Sequence, residues 1–321
     1  MSIVTLTMNP AVDIATRTGC VLATDKMRCA APRFDPGGGG INVARTVQAL
    51  GGYATAVFPA GGHTGRFLED LVRATGVPAR PVWVGEPTRE NLSVTDIGTG
   101  NQFRFVLPGP RLTTAEQHHC LAVVEQTCVG ASHLVVSGSL PPGVPAEFYR
   151  QLADLMGALG IPVILDTSGA ALRELPCGVY LIKPSVRELA DCVGRPLLGR
   201  PEQVRAAREL IGAGAAEIVV VSLGAAGALA VTADREESFA PITVPVRSGI
   251  GAGDAMVGGL TVGLARGLDL DGAVRLGVAA ATAALSTPGT SPGSRARIEQ
   301  LYHSPIGGNA TLSATGSRDH E

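Results

Sequence analysis

Between residues 133 and 224 short β-branched runs alternate with helical patterns, and few architectures accommodate that rhythm. HLVVSG at 133–138 precedes a helical pattern near 146–159, and PVILD follows at 162–166. Then come VYLIKPS, helical stretches at 186–192 and 202–213, and EIVVVSLG at 217–224. Such βαβα order predicts an α/β fold with a mostly parallel central sheet covered by helices on both faces. Ligands in such folds sit at the carboxyl ends of the strands. Here those ends carry Gly138 and Ser139, Asp166, Lys183, Ser222 and Gly224.

Two regions break the rhythm. Residues 10–35 and 84–106 read as short strands with polar punctuation, including a hairpin around Gly98 to Asn101, and are expected to form a small β lid over the sheet ends. The stretch from 303 to 321 lacks apolar periodicity and is expected to be a disordered tail behind one domain spanning 1–302. With 321 residues, 45% hydrophobic and only 4% aromatic, the chain can bury one large aliphatic core. A net charge of −2 without any Lys/Arg run argues against nucleic acid or an anionic membrane as partner. Cys20, Cys29, Cys120, Cys128, Cys177 and Cys192 form no CxxC pair and have no His at zinc-ligand spacing, so free buried thiols are expected. The opening SIVTLTM has no basic leader and nowhere do 18 apolar residues run together, which with reduced cysteines predicts a cytoplasmic chain.

The chemistry concentrates in SGIGAGDAM, Ser248 to Met256, where Asp254 follows a glycine-rich turn and a helical pattern begins at once. Successive backbone N–H groups in such a turn, with the positive end of a helix dipole, cradle one anion. A carboxylate beside a bound phosphate is tolerable when an attacking hydroxyl lies between them and gives up its proton, which reads as phosphoryl transfer to an alcohol. A packed helix start with Asp254 as a favoured first-turn carboxylate is the other use of the same residues. No GxxxxGK[ST] occurs, and the GxGxG at Gly249 lacks the strand and acidic partner of a dinucleotide site.

Other segments offer partners. Gly37 to Gly40 run directly into the helical INVARTVQAL, with Asn42 in its first turn, so backbone approaches a ligand closely there unless the glycines are only a linker. Arg89 and Arg104 in the lid form a pair of guanidinium forks suited to a terminal phosphate, or solvated edge charges. Asp13 and Lys26 lie in the other lid segment. In KPSVRE, Lys183 ends a strand and Glu188 falls in a first helical turn, able either to cap the helix or to hold Mg²⁺ through water. Lys26 and Lys183 are the only lysines in an otherwise arginine-rich chain.

From Ile3 to Ser291 the ordered series TLTMNPAVD, KMRCAAPRFDPGGGGINVAR, FPAGG, TREN, FRFVLPG, SGSLPPG, KPSVREL, VVVSLGAAGA and GIGAGDAMVGG resembles the PfkB family of carbohydrate kinases, close to the 6-phosphofructokinase branch. The resemblance implies a ribokinase-like three-layer sandwich and ATP-dependent phosphorylation of fructose 6-phosphate at its 1-hydroxyl. Tagatose 6-phosphate or fructose 1-phosphate as acceptor, or a poorly active ligand-binding protein on the same fold, are the alternatives. It makes Asp254 the base, with the N–H groups of Gly251, Ala252, Gly253 and Asp254 as an anion hole. Asp13, Gly38, Gly39 and Asn42 would hold the sugar, and Arg89, Arg104, Ser139 and Lys26 its phosphate end. Lys183 and Ser185 would meet the ATP phosphates, Glu188 would organise Mg²⁺, and Ser222, Gly224 and Gly227 would line the nucleotide pocket. K⁺ would lie among Ser248, Ile250, Ala284, Gly289 and Ser291, mostly on carbonyls. A homodimer clasped through the lids is implied, with Phe103, Phe105 and Val106 as compatible apolar residues. The chain departs from the family at Ser185, where N-x-x-E usually has its Asn, and at Gly249, where a Thr commonly stands. Looser phosphate and Mg²⁺ organisation and weaker nucleotide or K⁺ binding are the expected consequences.

Overall fold

The computed structural model describes residues 2–23, 25–174 and 178–304. Nine strands build the main sheet: β1 (Ser2–Leu6), β4 (Tyr53–Ala60), β5 (Ala79–Trp83), β8 (His133–Ser137), β9 (Val163–Asp166), β10 (Val179–Ile182), β11 (Ala216–Ser222), β12 (Ala228–Val231) and β13 (Glu236–Phe239). Their order is β13-β12-β11-β10-β9-β8-β1-β4-β5. Only β12 and β13 join antiparallel, so the sheet is mostly parallel, as the alternating pattern predicts. The helices are α1 (Gly39–Ala49), α2 (Gly62–Ala74), α3 (Thr114–Cys128), α4 (Glu147–Ala158), α5 (Ala170–Arg173), α6 (Val186–Val193), α7 (Arg200–Gly212), α8 (Ala252–Ala265), α9 (Leu270–Leu285) and α10 (Arg295–His303).

Alternation along the strands divides the core into two apolar layers. Ile218 and Val220 face one layer with Val257 and Leu260 of α8, Val274 of α9 and Ile41 and Val47 of α1. Val219 and Val221 face the other, with Val124 of α3, Phe148 and Leu152 of α4 and Val204 of α7. Both sheet faces being covered explains why the strands read as continuous apolar runs. The result is a three-layer α/β sandwich. Among the described residues no helix is long and apolar enough to cross a membrane.

A second sheet of four strands, in the order β3-β2-β6-β7, is made from β2 (Ala11–Thr18), β3 (Arg33–Gly37), β6 (Arg89–Asp96) and β7 (Gln102–Val106). The hairpin read at Gly98 to Asn101 joins β6 to β7. Register sorts its side chains by face: Asp13 lies opposite Asp35 and Asn91, and Ser93 opposite Arg104. The intervening positions carry Ile14, Phe34, Leu92 and Phe105. One face is therefore polar and the other apolar.

Two expectations need correction or restriction. Cys120 and Cys128 are buried and burial pushes both thiols up to about 12, but Cys20 and Cys29 are exposed and Cys192 is half-buried. Cys20 and Cys29 lie in the connection between β2 and β3, whose described residues are nearly all exposed, and Cys192 lies in α6, of which only Leu189 is fully buried. The position of Cys177 lies outside the described residues. So does nearly all of the expected tail: α10 runs through His303, and residues 305–321 are not described.

Candidate active site

Side chains cap the starts of α3, α6, α9 and α10, whereas α1, α2, α4, α5 and α8 begin without one, and two of these open starts, α1 and α8, are joined by the hydrogen bond between Asn42 and Asp254. Thr113 and Glu116 form a reciprocal capping box on α3, and Asp269 and Ser294 cap α9 and α10. By contrast α8 opens on Gly251 with φ 78°, and α1 on Gly38 with φ 127°, and neither has a side-chain cap. The first-turn N–H groups of Ala252, Gly253 and Asp254 consequently have no intrahelical acceptor and face the cleft side with the dipole behind them. A bare helix start of this kind accepts an anion.

Asp254 sits in that first turn. Its Oδ2 accepts from Asn42 Nδ2 at 3.0 Å and its Oδ1 from Ser137 Oγ at 3.2 Å. Gly39 makes this convergence possible, since a β-carbon there would lie 2.2 Å from Ser137 Oγ. Surrounding protein desolvates the carboxylate and raises its pKa, while Asn42, Lys183 and Ser137 oppose the rise. That combination leaves a base stronger than a free aspartate.

Lys183 follows β10 and is only 5% exposed, with Nζ 3.1 Å from Asp166 Oδ1. A β-carbon on Gly253 would stand 3.8 Å from that Nζ, so the ammonium faces the bare start of α8. Burial works against its charge, but Asp166, Glu188 and Asp254 prevail and hold the pKa above the ordinary lysine value. Burial pushes Asp166 up to about 6 despite the attraction of Lys183.

Two cavities meet beside this cluster. One of about 650 Å³ lies between the polar face of the smaller sheet and residues 246–250 and 288–290; Asp13, Asn91, Arg33, Arg104, Arg247 and Thr290 line part of it. The second, about 550 Å³, is bounded by Ser222, Gly224, Gly227, Val244, Met256 and Leu285, a mostly apolar wall with a few polar groups. Val246 and Gly249 line both, and Ala252 and Gly253 line the second. The chain entering the uncapped turn thus stands at the junction, and Ala252 and Gly253 of the turn open on the second cavity.

The structure gathers most, not all, of the residues singled out from the sequence. Asp13 accepts from Asn91 Nδ2 at 2.8 Å, and burial raises its pKa against Asn91, Arg104 and Arg89. Ser139 Oγ accepts from Asn9 Nδ2 at 3.1 Å. Arg89 does not line the first cavity: it donates to the carbonyls of Asn9 at 2.8 Å, Leu107 at 3.0 Å and Pro10 at 3.4 Å, stitching β6 to the chain as it leaves β1. Lys26 is exposed in the β2–β3 connection and lines neither cavity. Ser185 and Glu188 form a capping box, with Ser185 N–H donating to Glu188 Oε2 at 2.8 Å and Glu188 N–H to Ser185 Oγ at 3.2 Å. Near Ser248 and Ile250, the Thr287 hydroxyl lies 2.7 Å from the Ala284 carbonyl oxygen and also contacts that of Ser291. One hydroxyl proton serves only one of these two acceptors.

Ser137, Asn9 and Arg45 belong to the constellation and escaped the sequence reading. Ser137 ends a strand like many polar residues, and only its position at a carboxyl edge signals it. Arg45, one helical turn after Asn42, donates to Asn42 Oδ1 at 3.2 Å and to Thr290 Oγ1 at 3.0 Å.

Residues 6–297 match the family model described as pfkB family carbohydrate kinase. The chain is 53% identical over 300 residues to the ATP-dependent 6-phosphofructokinase isozyme 2 of Mycobacterium tuberculosis, covering 94% of this chain and 88% of the relative. To the enzyme of the same name from Escherichia coli it is 45% identical over 303 residues, covering 94% and 97%. Solved structures of phosphofructokinase-2 from E. coli superpose over 94% of the chain and 97% of theirs: in complex with fructose-6-phosphate at TM-score 0.85 and 41% identity, in complex with potassium at 0.86 and 42%, and in a tetrameric inhibited form at 0.86 and 42%.

Proposed function

The chain belongs to the pfkB family of carbohydrate kinases, and on that premise we propose that it phosphorylates fructose 6-phosphate at the 1-hydroxyl, with ATP as donor and Asp254 as base. It is a sugar-phosphate kinase. The observation that carries the finer reading is a carboxylate with raised pKa, fixed on both oxygens, in the first turn of a bare helix start whose Ala252 and Gly253 line one cavity and whose approach, at Gly249, lines both.

The polar face of the lid suits the sugar phosphate. Asp13 offers a carboxylate to sugar hydroxyls, and Arg104 and Arg33 offer guanidinium donors to a terminal phosphate. The apolar second cavity suits a nucleoside, with Gly224 and Gly227 permitting close approach. The acceptor hydroxyl then lies between Asp254 and the γ-phosphate. Asp254 removes its proton, and the N–H groups of Ala252 to Asp254 with Lys183 neutralise the phosphoryl group as it moves. Lid and core working as one unit over residues 1–302, with lid segments 10–35 and 84–106, would exclude water during transfer.

Carboxylates at Glu188 and Asp166 beside Lys183 are the donor chemistry a Mg²⁺ ion prefers, few carboxylates with the remaining positions left to water and phosphate. Oε2 of Glu188 is taken by the Ser185 N–H, and Oε1 remains for such a role. When bound, Mg²⁺ supplies charge neutralisation on the donor phosphates. The carbonyls of Ala284 and Ser291, converging on one hydroxyl, are the kind of oxygen pair a K⁺ ion accepts.

A coupled assay comparing fructose 6-phosphate, tagatose 6-phosphate and fructose 1-phosphate tests the acceptor. The highest kcat/KM is expected with fructose 6-phosphate, and a tenfold preference for either other sugar would overturn the assignment.

A further inference from the structure

Arg45 is a buried guanidinium with unusual company. It is 8% exposed and touches no carboxylate among the described residues; Asp35 and Asp13 act on it only through space, and burial draws its pKa down. Burying an arginine on neutral partners is costly, so its place calls for a reason in the geometry it imposes. Nη1 donates both to Asn42 Oδ1 at 3.2 Å and to Thr290 Oγ1 at 3.0 Å.

The Asn42 amide has one accepting and one donating end. A guanidinium only donates and an ionised carboxylate only accepts, so with Arg45 on one side and Asp254 on the other just one amide orientation satisfies both. The oxygen turns to Arg45 and the NH₂ to Asp254 Oδ2, 3.0 Å away. In the reverse orientation amide oxygen would oppose carboxylate and NH₂ would oppose guanidinium. Thr290 fixes the far side of Arg45, and it also abuts the turn itself, since a β-carbon on Gly251 would lie 3.4 Å from Thr290 Cα. One side chain therefore ties the loop after α9, the start of α1 and the carboxylate on α8 into a single arrangement.

We propose that Arg45 is a positioning residue for phosphoryl transfer, acting through the Asn42 amide to set the orientation of the Asp254 carboxylate and, through Thr290, its distance from the uncapped turn. This rests on Asp254 being the base. Ser137 still holds Oδ1 when Arg45 is removed, so the loss is partial.

The test is a double-mutant cycle in the full chain with fructose 6-phosphate and MgATP, with melting temperature measured for each variant. Arg45→Met is expected to lower kcat about tenfold, the cost of a modest misalignment, with KM for ATP within about twofold of wild type. Asn42→Ala should lose at least as much, and adding Arg45→Met to it should change kcat by less than about twofold, because the path runs through the amide. Arg45→Gln, which retains a donor, should recover part of the rate, and it carries the same cycle if Arg45→Met fails to fold. Losses that multiply in the double variant, or an Arg45→Met enzyme with unchanged kcat, would overturn the proposal. Asp254→Asn in the same assay separates the two claims. If it keeps activity, the base assignment falls; if it is inactive while the cycle multiplies, only the role of Arg45 falls.

Discussion

Asp166, Lys183 and Asp254 place two carboxylates around one buried ammonium, and their titration is a direct reporter of the site. Burial raises Asp166 from 3.8 to about 6. A carboxyl whose folded pKa is raised contributes stability in full below the unfolded value and loses it as pH rises through the folded one. Between pH 4 and 7, therefore, wild type should lose stability relative to Asp166→Asn, by an amount on the order of 3 kcal/mol at most. Chemical unfolding of both proteins across that range checks it, and a difference independent of pH would contradict it. Legibility at these positions was uneven. SGIGAGDAM announced Asp254 because glycines and a carboxylate before a helix have few uses together, whereas its partner Ser137, 117 residues away, looked like an ordinary strand end. Arg89 carried a functional look in the sequence, yet its donors are occupied by the carbonyls of Asn9, Pro10 and Leu107, an outcome that no local pattern reveals.

The starts of α1 and α8 lack side-chain caps, as do those of α2, α4 and α5, and what distinguishes the pair is that Asn42 of one bonds Asp254 of the other. On the proposed function, ligand atoms supply the missing acceptors at these two ends. Gly253→Ala isolates this. The new methyl would sit 3.8 Å from Lys183 Nζ, an ordinary contact, in the space the moving phosphoryl group needs. The variant should keep the melting temperature within about 2 °C, as expected for a strain-free substitution. It should lose about tenfold in kcat, and full activity would contradict the anion-hole role. Ser185 is a second case. It caps α6 as an Asn also would, so Ser185→Asn should leave stability within about 0.5 kcal/mol. If the longer side chain restores phosphate organisation, the Mg²⁺ concentration for half-maximal rate should fall, and an unchanged or higher requirement would make the departure neutral. The sequence pattern located α1, α6 and the start of α8 to within a few residues, but that Glu188 caps α6 through one of its two oxygens lay in a hydrogen bond that periodicity does not encode.

The two sheets have opposite logics, and the whole molecule follows from the difference. Nearly continuous apolar runs made the main sheet legible, because both its faces are covered. The smaller sheet was legible as strands and a hairpin, but not its pairing, since the parallel β2–β6 contact joins segments 78 residues apart, as the Asp13–Asn91 bond marks. Its polar face lines the first cavity, while Phe34, Leu92, Phe103 and Phe105 remain 38 to 54% exposed. An exposed apolar sheet face of this kind favours a second copy. Light scattering should find dimers or larger assemblies for wild type and monomers for a Phe103→Asp/Phe105→Asp variant; wild-type monomers at micromolar concentration would contradict lid pairing. Phosphoryl transfer requires that a proton leave the acceptor hydroxyl, and we assign Asp254, in the first turn of α8, to take it. Steady-state kcat of Asp254→Asn with saturating fructose 6-phosphate and MgATP reads this out. A loss of at least about a hundredfold in a folded enzyme is the predicted result, and a kcat within about threefold of wild type would contradict it.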